Sequence, residues 1–152
     1  MNKLSILLSI MGIICFASCM EKTGYYDAGQ EAVLKKLVNK TWERTRVEDS
    51  PKGGTVEIRD LVTFKETGRG EHYKVKTYKN GEVIESTYNF VWSFTVPNFS
   101  IIYTDHFGFW QIEKLTETEL EVCETSEDPL TVWDQTRTYI KFSYIKPDSP
   151  TE

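Results

Sequence analysis

The chain has 152 residues, with 18 Lys and Arg against 23 Asp and Glu for a formal charge of −5. That length suits one domain with a sizeable core. The acidic balance argues against a nucleic-acid partner, which requires clustered basic side chains to displace counterions.

Residues 1–18 read as an export signal. Lys3 supplies the positive start, and Leu4 to Phe16 is almost unbroken apolar sequence. A membrane span needs roughly 20 apolar residues and different flanks. The run ends Phe16-Ala17-Ser18-Cys19, small residues before a thiol. This ending resembles the lipobox of bacterial lipoproteins, whose cysteine is acylated and becomes the new N-terminus. The resemblance implies lipidation (palmitate included) at Cys19 and a place in the cell envelope, held to a membrane by acyl chains. Each buried methylene of such an anchor adds about 0.8 kcal/mol. Removing residues 1–18 takes away Lys3 and no acid, leaving 17 basic and 23 acidic side chains and a formal charge of −6. The acids thicken from Glu113 to Asp134 and read as a solvated face. Cys15 leaves with the signal and Cys19 carries lipid, so Cys123 has no intramolecular partner, and stability must come from apolar burial.

Residues 19–27 form a polar tether with Gly24. Asp27 then caps a helix, with Gln30 as its capping-box partner. Ala28 to Asn39 carries Ala32, Val33, Leu34, Leu37 and Val38 on one face. Everything after Lys40 reads as strands. Thr41 to Val47 is the first, stopped by Asp49 to Gly54. Val56 to Lys65 places Val56, Ile58, Val62 and Phe64 on one face, with Asp60 as the exception. After Gly68-Arg69-Gly70 a strand from His72 to Tyr78 leads into Asn80-Gly81, a tight-hairpin signal because both residues tolerate positive φ. Next comes the clearest alternation in the chain. Ile84, Ser86, Tyr88, Phe90, Trp92 and Phe94 share a buried face, and Glu85, Thr87, Asn89 and Ser93 the wet one. Val96-Pro97-Asn98 breaks it. Strands at Phe99–Thr104, Phe107–Leu115, Glu119–Thr125 and Gln135–Ile145 follow, and residues 147–152, with Pro147 and Pro150, form a disordered tail. About eight short, evenly spaced strands argue an antiparallel sandwich or an up-and-down barrel over residues 28–146.

A short helix, then Asn39-Lys40-Thr41-Trp42 opening a strand, then meandering hairpins, resembles the lipocalin-like domains of Bacteroidetes-type envelope lipoproteins. Thr63 to Gly68, Phe90-Val91-Trp92 and the Ile112 to Val122 hairpin carry the likeness, which covers Leu37 to Tyr144. It implies an all-β, up-and-down antiparallel barrel of about eight strands preceded by one helix. It implies an address more than a reaction.

No catalytic or metal-binding constellation is expected, and no cofactor. His72 and His106 lack metal-ligand spacing. Asp105 could orient His106 as a base toward Ser100 or Thr104, but adjacent turn residues seldom aim at one another and no nucleophile elbow is present. The aromatic share of 13% therefore carries the functional question. Phe64, Tyr73, Tyr88, Phe90, Trp92, Tyr103 and Trp110 are candidate interior residues. An eight-stranded interior is either filled by such rings, with Trp42 plugging one end, or holds one small apolar or amphipathic ligand. Ser86 on the inward face favours the pocket. Leu130 and Trp133, in the loop before the last strand, are candidate anchors for an envelope protein if the barrel is filled. Cys123 should face outward or toward a neighbouring loop as an inert thiol.

Overall fold

The computed structural model describes residues 28–51 and 53–146. The signal, Cys19, the tether and the tail lie outside them. A helix α1 (Ala28–Leu37) is followed by β1 (Thr41–Asp49), β2 (Thr55–Phe64), β3 (Arg69–Tyr78), β4 (Val83–Phe94), β5 (Ile101–Thr104), β6 (Gly108–Leu115), β7 (Glu119–Thr125) and β8 (Thr138–Ile145). Each strand pairs antiparallel with the next, and β8 returns to β1 through Thr41↔Ile145, Trp42↔Tyr144 and Glu43↔Ser143. The sheet is a closed barrel rather than a sandwich.

Several element ends differ from the sequence expectation for local reasons. The helix stops at Leu37, because Asn39 takes a left-handed φ of 57° and its N–H turns to Phe64 O. β5 starts two residues late, since Phe99 has φ 56° and bonds back to Val96 O. β8 starts at Thr138, because the Gln135 side chain ties the loop to Glu127 and Val132. At the Asn80-Gly81 hairpin only Gly81 adopts positive φ, 86°, and Tyr78 N–H bonds Glu82 O, closing a three-residue loop rather than a two-residue turn.

The strands are unequal, and this shapes the interior. β1 pairs β2 from Thr41↔Thr63 to Asp49↔Thr55, and β3 pairs β4 from Arg69↔Val91 to Thr77↔Val83. β4 meets β5 only at Trp92 to Phe94. So β1 to β4 close into the barrel at one end and rise beyond it as a curved sheet at the other. Even-numbered residues of these four strands face inward in register. Phe64, Gly70 and Phe90 form one row, then Trp42, Val62, His72 and Tyr88, then Arg44, Asp60, Lys74 and Ser86.

The closed end is filled. Phe64 meets Phe90, Trp92 and Trp110 edge-on at centroid distances of 5.6, 5.4 and 5.9 Å. Leu120, Val122 and Phe142 complete the packing from β7 and β8. The helix and the turn after it cover this end with Leu34, Leu37 and Val38, and the last helix carbonyl, Leu37 O, accepts the Trp42 Nε1–H at 2.9 Å. Trp42, with no exposed surface, is the expected plug. Gly70 has a packing reason to be glycine: a Cβ there would lie 2.2 Å from the Phe90 ring. Burial fades along β4 away from this end. Phe90 and Trp92 are buried, whereas Ile84 and Tyr88 are exposed, because β5 is too short to wall them in. The expectation of one buried face along the whole of β4 holds only for its second half.

Candidate functional site

Beyond the ring-filled half, a cavity of about 180 Å³ opens into the barrel mouth. The inward parity that puts Trp42, Val62 and Phe64 in the core puts Arg44, Arg46, Asp60, His72 and Lys74 on one wall of it. Phe107, Ile140 and Phe142 form the other wall, with Val62 and Trp110. The cavity is therefore split, charged on the β1 to β3 side and apolar on the β6 to β8 side. Glu124, at the end of β7, also lines it and accepts the Trp110 Nε1–H at 2.8 Å.

Asp60 organises the charged wall. It is 6% exposed. Burial alone would raise its pKa, but the His72 hydrogen bond and the charges of Arg46, His72 and Lys74 outweigh that and hold it below the ordinary aspartate value. As a carboxylate it only accepts. Oδ1 takes the His72 Nε2–H at 2.8 Å, and Oδ2 takes an Arg46 Nη1–H. Arg46 also reaches Glu48 at 2.5 Å; burial alone would lower its pKa, but the bonds and charges of Glu48 and Asp60 raise it. The other His72 nitrogen, Nδ1, faces His106 Nε2 at 3.0 Å, a hydrogen bond between the two rings. His106 lies over Tyr88, centroids 5.0 Å apart and 22° between planes, with Phe107 at 4.4 Å. Burial, then the neighbouring His72 and Lys74, push the His106 pKa below the ordinary imidazole value. The result is a chain from buried carboxylate to buried imidazole to an imidazole at the mouth.

That chain is built differently from the pairing considered for Asp105 and His106. Asp105 Oδ1 accepts the Val91 N–H at 2.8 Å. Thr104, buried, accepts the Phe107 N–H through Oγ1 at 2.7 Å, and the Ser100 hydroxyl donates to Asn98 at 2.7 Å. Neither hydroxyl is aimed at the imidazole. Among the described residues no group of three or more His, Cys, Asp or Glu is placed to hold a metal ion.

The seven aromatic candidates separate. Phe64, Phe90, Trp92 and Trp110 lie in the filled core, and Trp92 Nε1–H is taken by Lys65 O and Arg69 O. Trp110 alone of these four also borders the cavity. Tyr88 stands at the mouth against His106. Tyr73 and Tyr103 are corrections: they face outward. Tyr73 is flanked by inward His72 and Lys74, and the neighbouring Glu85 carboxylate raises its pKa. Tyr103 is flanked by Ile102 and Thr104, both buried, and lies against Phe109 at 5.1 Å. Period-two alternation assigns these positions; aromatic character does not. Leu130 and Trp133 are 56% and 80% exposed, in the loop that leaves β7 just past Glu124 at the mouth. Cys123 has no exposed surface.

Sequence reasoning missed Arg44, Arg46, His72, Lys74, His106 and Glu124 as a group. The available signal was Asp60, the charged residue on an apolar face, together with basic residues at the inward parity of the strands on either side. No protein-family model matches the chain, and neither a curated protein nor a solved structure does.

Proposed function

We propose that this chain is a lipocalin-like envelope lipoprotein, held to a membrane through acylated Cys19, whose barrel binds a small amphipathic molecule without transforming it. The observation that carries the binding reading is the split cavity above a ring-filled floor, with Arg44 and Lys74 on one side and Phe107, Ile140 and Phe142 on the other. Such a lining fits a ligand with one polar end and one apolar body. The absence of chemistry is supported by Ser100 and Thr104, whose hydroxyls are engaged with Asn98 and Phe107 rather than with His106. The export signal and the small-small-Cys ending support the anchor.

Native mass spectrometry of the full chain, beside the same sample denatured, tests the binding reading. A native mass greater by one discrete organic species supports an occupied cavity. Equal masses, repeated after incubation with an envelope lipid and metabolite extract, count against it. Cys19→Ser tests the anchor, because protein that stays in the membrane fraction contradicts it. A second reading, docking of an envelope protein at the barrel mouth, is favoured by Trp133 at 80% exposure beside Leu130. Trp133→Ala should then abolish partner capture while leaving thermal stability unchanged.

A further inference from the structure

We infer that the ligand of the mouth cavity is a small organic monoanion, a carboxylate on a flat or short apolar body, with Arg44 as its principal contact and Lys74 as its second. This rests on the cavity being a ligand site and adds the charge and size of what enters it.

Charge pairing in the cavity is incomplete. Asp60 has given both oxygens to His72 and Arg46. Arg44 Nε stands 3.9 Å from Asp60 Oδ2, and Lys74 Nζ stands 4.0 Å from Oδ1, both beyond hydrogen-bond length. Their side chains are only 22% and 25% exposed. Neither makes a hydrogen bond to another described residue, although Lys74 also lies 5.9 Å above the Tyr88 ring. A guanidinium carries five donors, and at a partly exposed barrel mouth those of Arg44 are open to a ligand acceptor in place of water. Glu124 attracts Arg44 across the cavity without bonding it. Arg46 is taken by Asp60 and Glu48, which leaves Arg44 and Lys74 as the cavity's two cations without a hydrogen-bonded carboxylate, in a chain whose overall charge is −5.

Two unbonded cations with Asp60 and Glu124 close by favour a single negative charge on the ligand. A dianion would meet Asp60 and Glu124 without compensation. The apolar wall and the size select the rest of the molecule. A cavity of about 150 Å³ holds a benzene ring, so about 180 Å³ takes one ring or a short branched chain with its carboxylate. The planar fork of Arg44 matches a carboxylate in two-point contact.

The test is isothermal titration of the full chain at pH 7 with benzoate, benzyl alcohol and inorganic phosphate, in the wild type, Arg44→Gln and Lys74→Gln. Benzoate is expected to bind one to one, about tenfold or more tighter than benzyl alcohol, with phosphate weaker than benzoate. Arg44→Gln should weaken benzoate about tenfold or more and bring acid and alcohol close together; Lys74→Gln should do so to a smaller degree. Benzyl alcohol binding as tightly as benzoate, phosphate binding more tightly, or benzoate insensitive to Arg44→Gln would each overturn the monoanion while leaving a ligand cavity. Failure of benzoate and benzyl alcohol, and of the pair isovalerate and isoamyl alcohol, would remove the cavity as a ligand site altogether. If Arg44→Gln loses the near-UV dichroism of the packed tryptophans, the Lys74→Gln series and the acid-to-alcohol ratio in the wild type carry the decision.

Discussion

Replacing Asp60 with asparagine tests whether this carboxylate holds the charged wall together. The side chain is 8% exposed, and Arg46, Arg44 and Lys74 converge on it with His72. Removing one partner of a buried ion pair costs about 3–5 kcal/mol, because the other charge is left uncompensated. The three cations here are 22–27% exposed, so water recovers part of that cost, and about 3 kcal/mol is expected. For a domain of this size that lowers the melting temperature on the order of 10 °C. The dependence on pH has a definite sign. Asp60 titrates below its ordinary value in the folded chain, so its contribution is present above an unfolded pKa of about 3.9 and is lost as pH falls through the folded one. The gap between wild type and Asp60→Asn in urea unfolding, followed by tryptophan fluorescence, should not narrow between pH 7 and pH 5, where Asp60 remains a carboxylate. It should shrink below about pH 4. A gap under about 0.5 kcal/mol at pH 7, the range of an ordinary surface change, would refute the reasoning. So would a gap undiminished in acid while the wild type remains folded.

Gly70→Ala puts a Cβ into the Phe90 ring and should cost about 1–3 kcal/mol; a urea midpoint equal to the wild type would mean that the ring yields freely. Trp42→Phe keeps the plug apolar but removes the bond to Leu37 O, costing about 1 kcal/mol and exposing the helix amides to faster hydrogen exchange than those of β2. His106 should titrate by NMR below the ordinary imidazole value of about 6.5. Because the unfolded chain then takes up that proton first, stability declines as pH falls below that value, and His106→Gln should flatten the decline; a normal midpoint would place the ring outside the packed cluster. Cys123, with no exposed surface, should resist thiol reagents in the folded chain and react in urea.

Strand number, order and the plugging role of Trp42 were legible because period-two alternation and turn residues are local signals. The Asn80-Gly81 hairpin and the Asp105-His106 turn fell where expected, between β3 and β4 and between β5 and β6. The cavity was harder to read for two reasons. Its charged members are inward residues scattered over β1, β2, β3 and β7, and only Asp60 stands out within its own strand. Their convergence depends on register, Arg44↔Asp60 and Asp60↔Lys74, which hairpin lengths set and composition does not reveal. His72 and His106 are 34 positions apart, and only the curl of β4 into β5 brings their nitrogens within 3.0 Å. Tyr73 and Tyr103 were misplaced for a related reason. Ring size suggests the interior, but parity decides which side of a sheet a residue takes.

The filled and hollow readings of the interior turn out to describe different levels of the same barrel. Where all eight strands are present, the inward positions carry Phe64, Phe90, Trp92 and Trp110, and the rings pack against one another. Where β1 to β3 rise beyond their shorter partners, the inward positions carry Arg44, Arg46, Asp60, His72 and Lys74, which the opening allows to be solvated. A charged wall deep in the closed belt would face the full cost of desolvation; at the mouth it faces part of it. Trp110 joins the two levels. Its ring packs on Phe64 and Phe142 below, it borders the cavity, and its N–H fixes Glu124 on the cavity rim. A ligand resting there would touch a floor that the core holds rigid, and the entropy of ordering that floor has already been spent in folding.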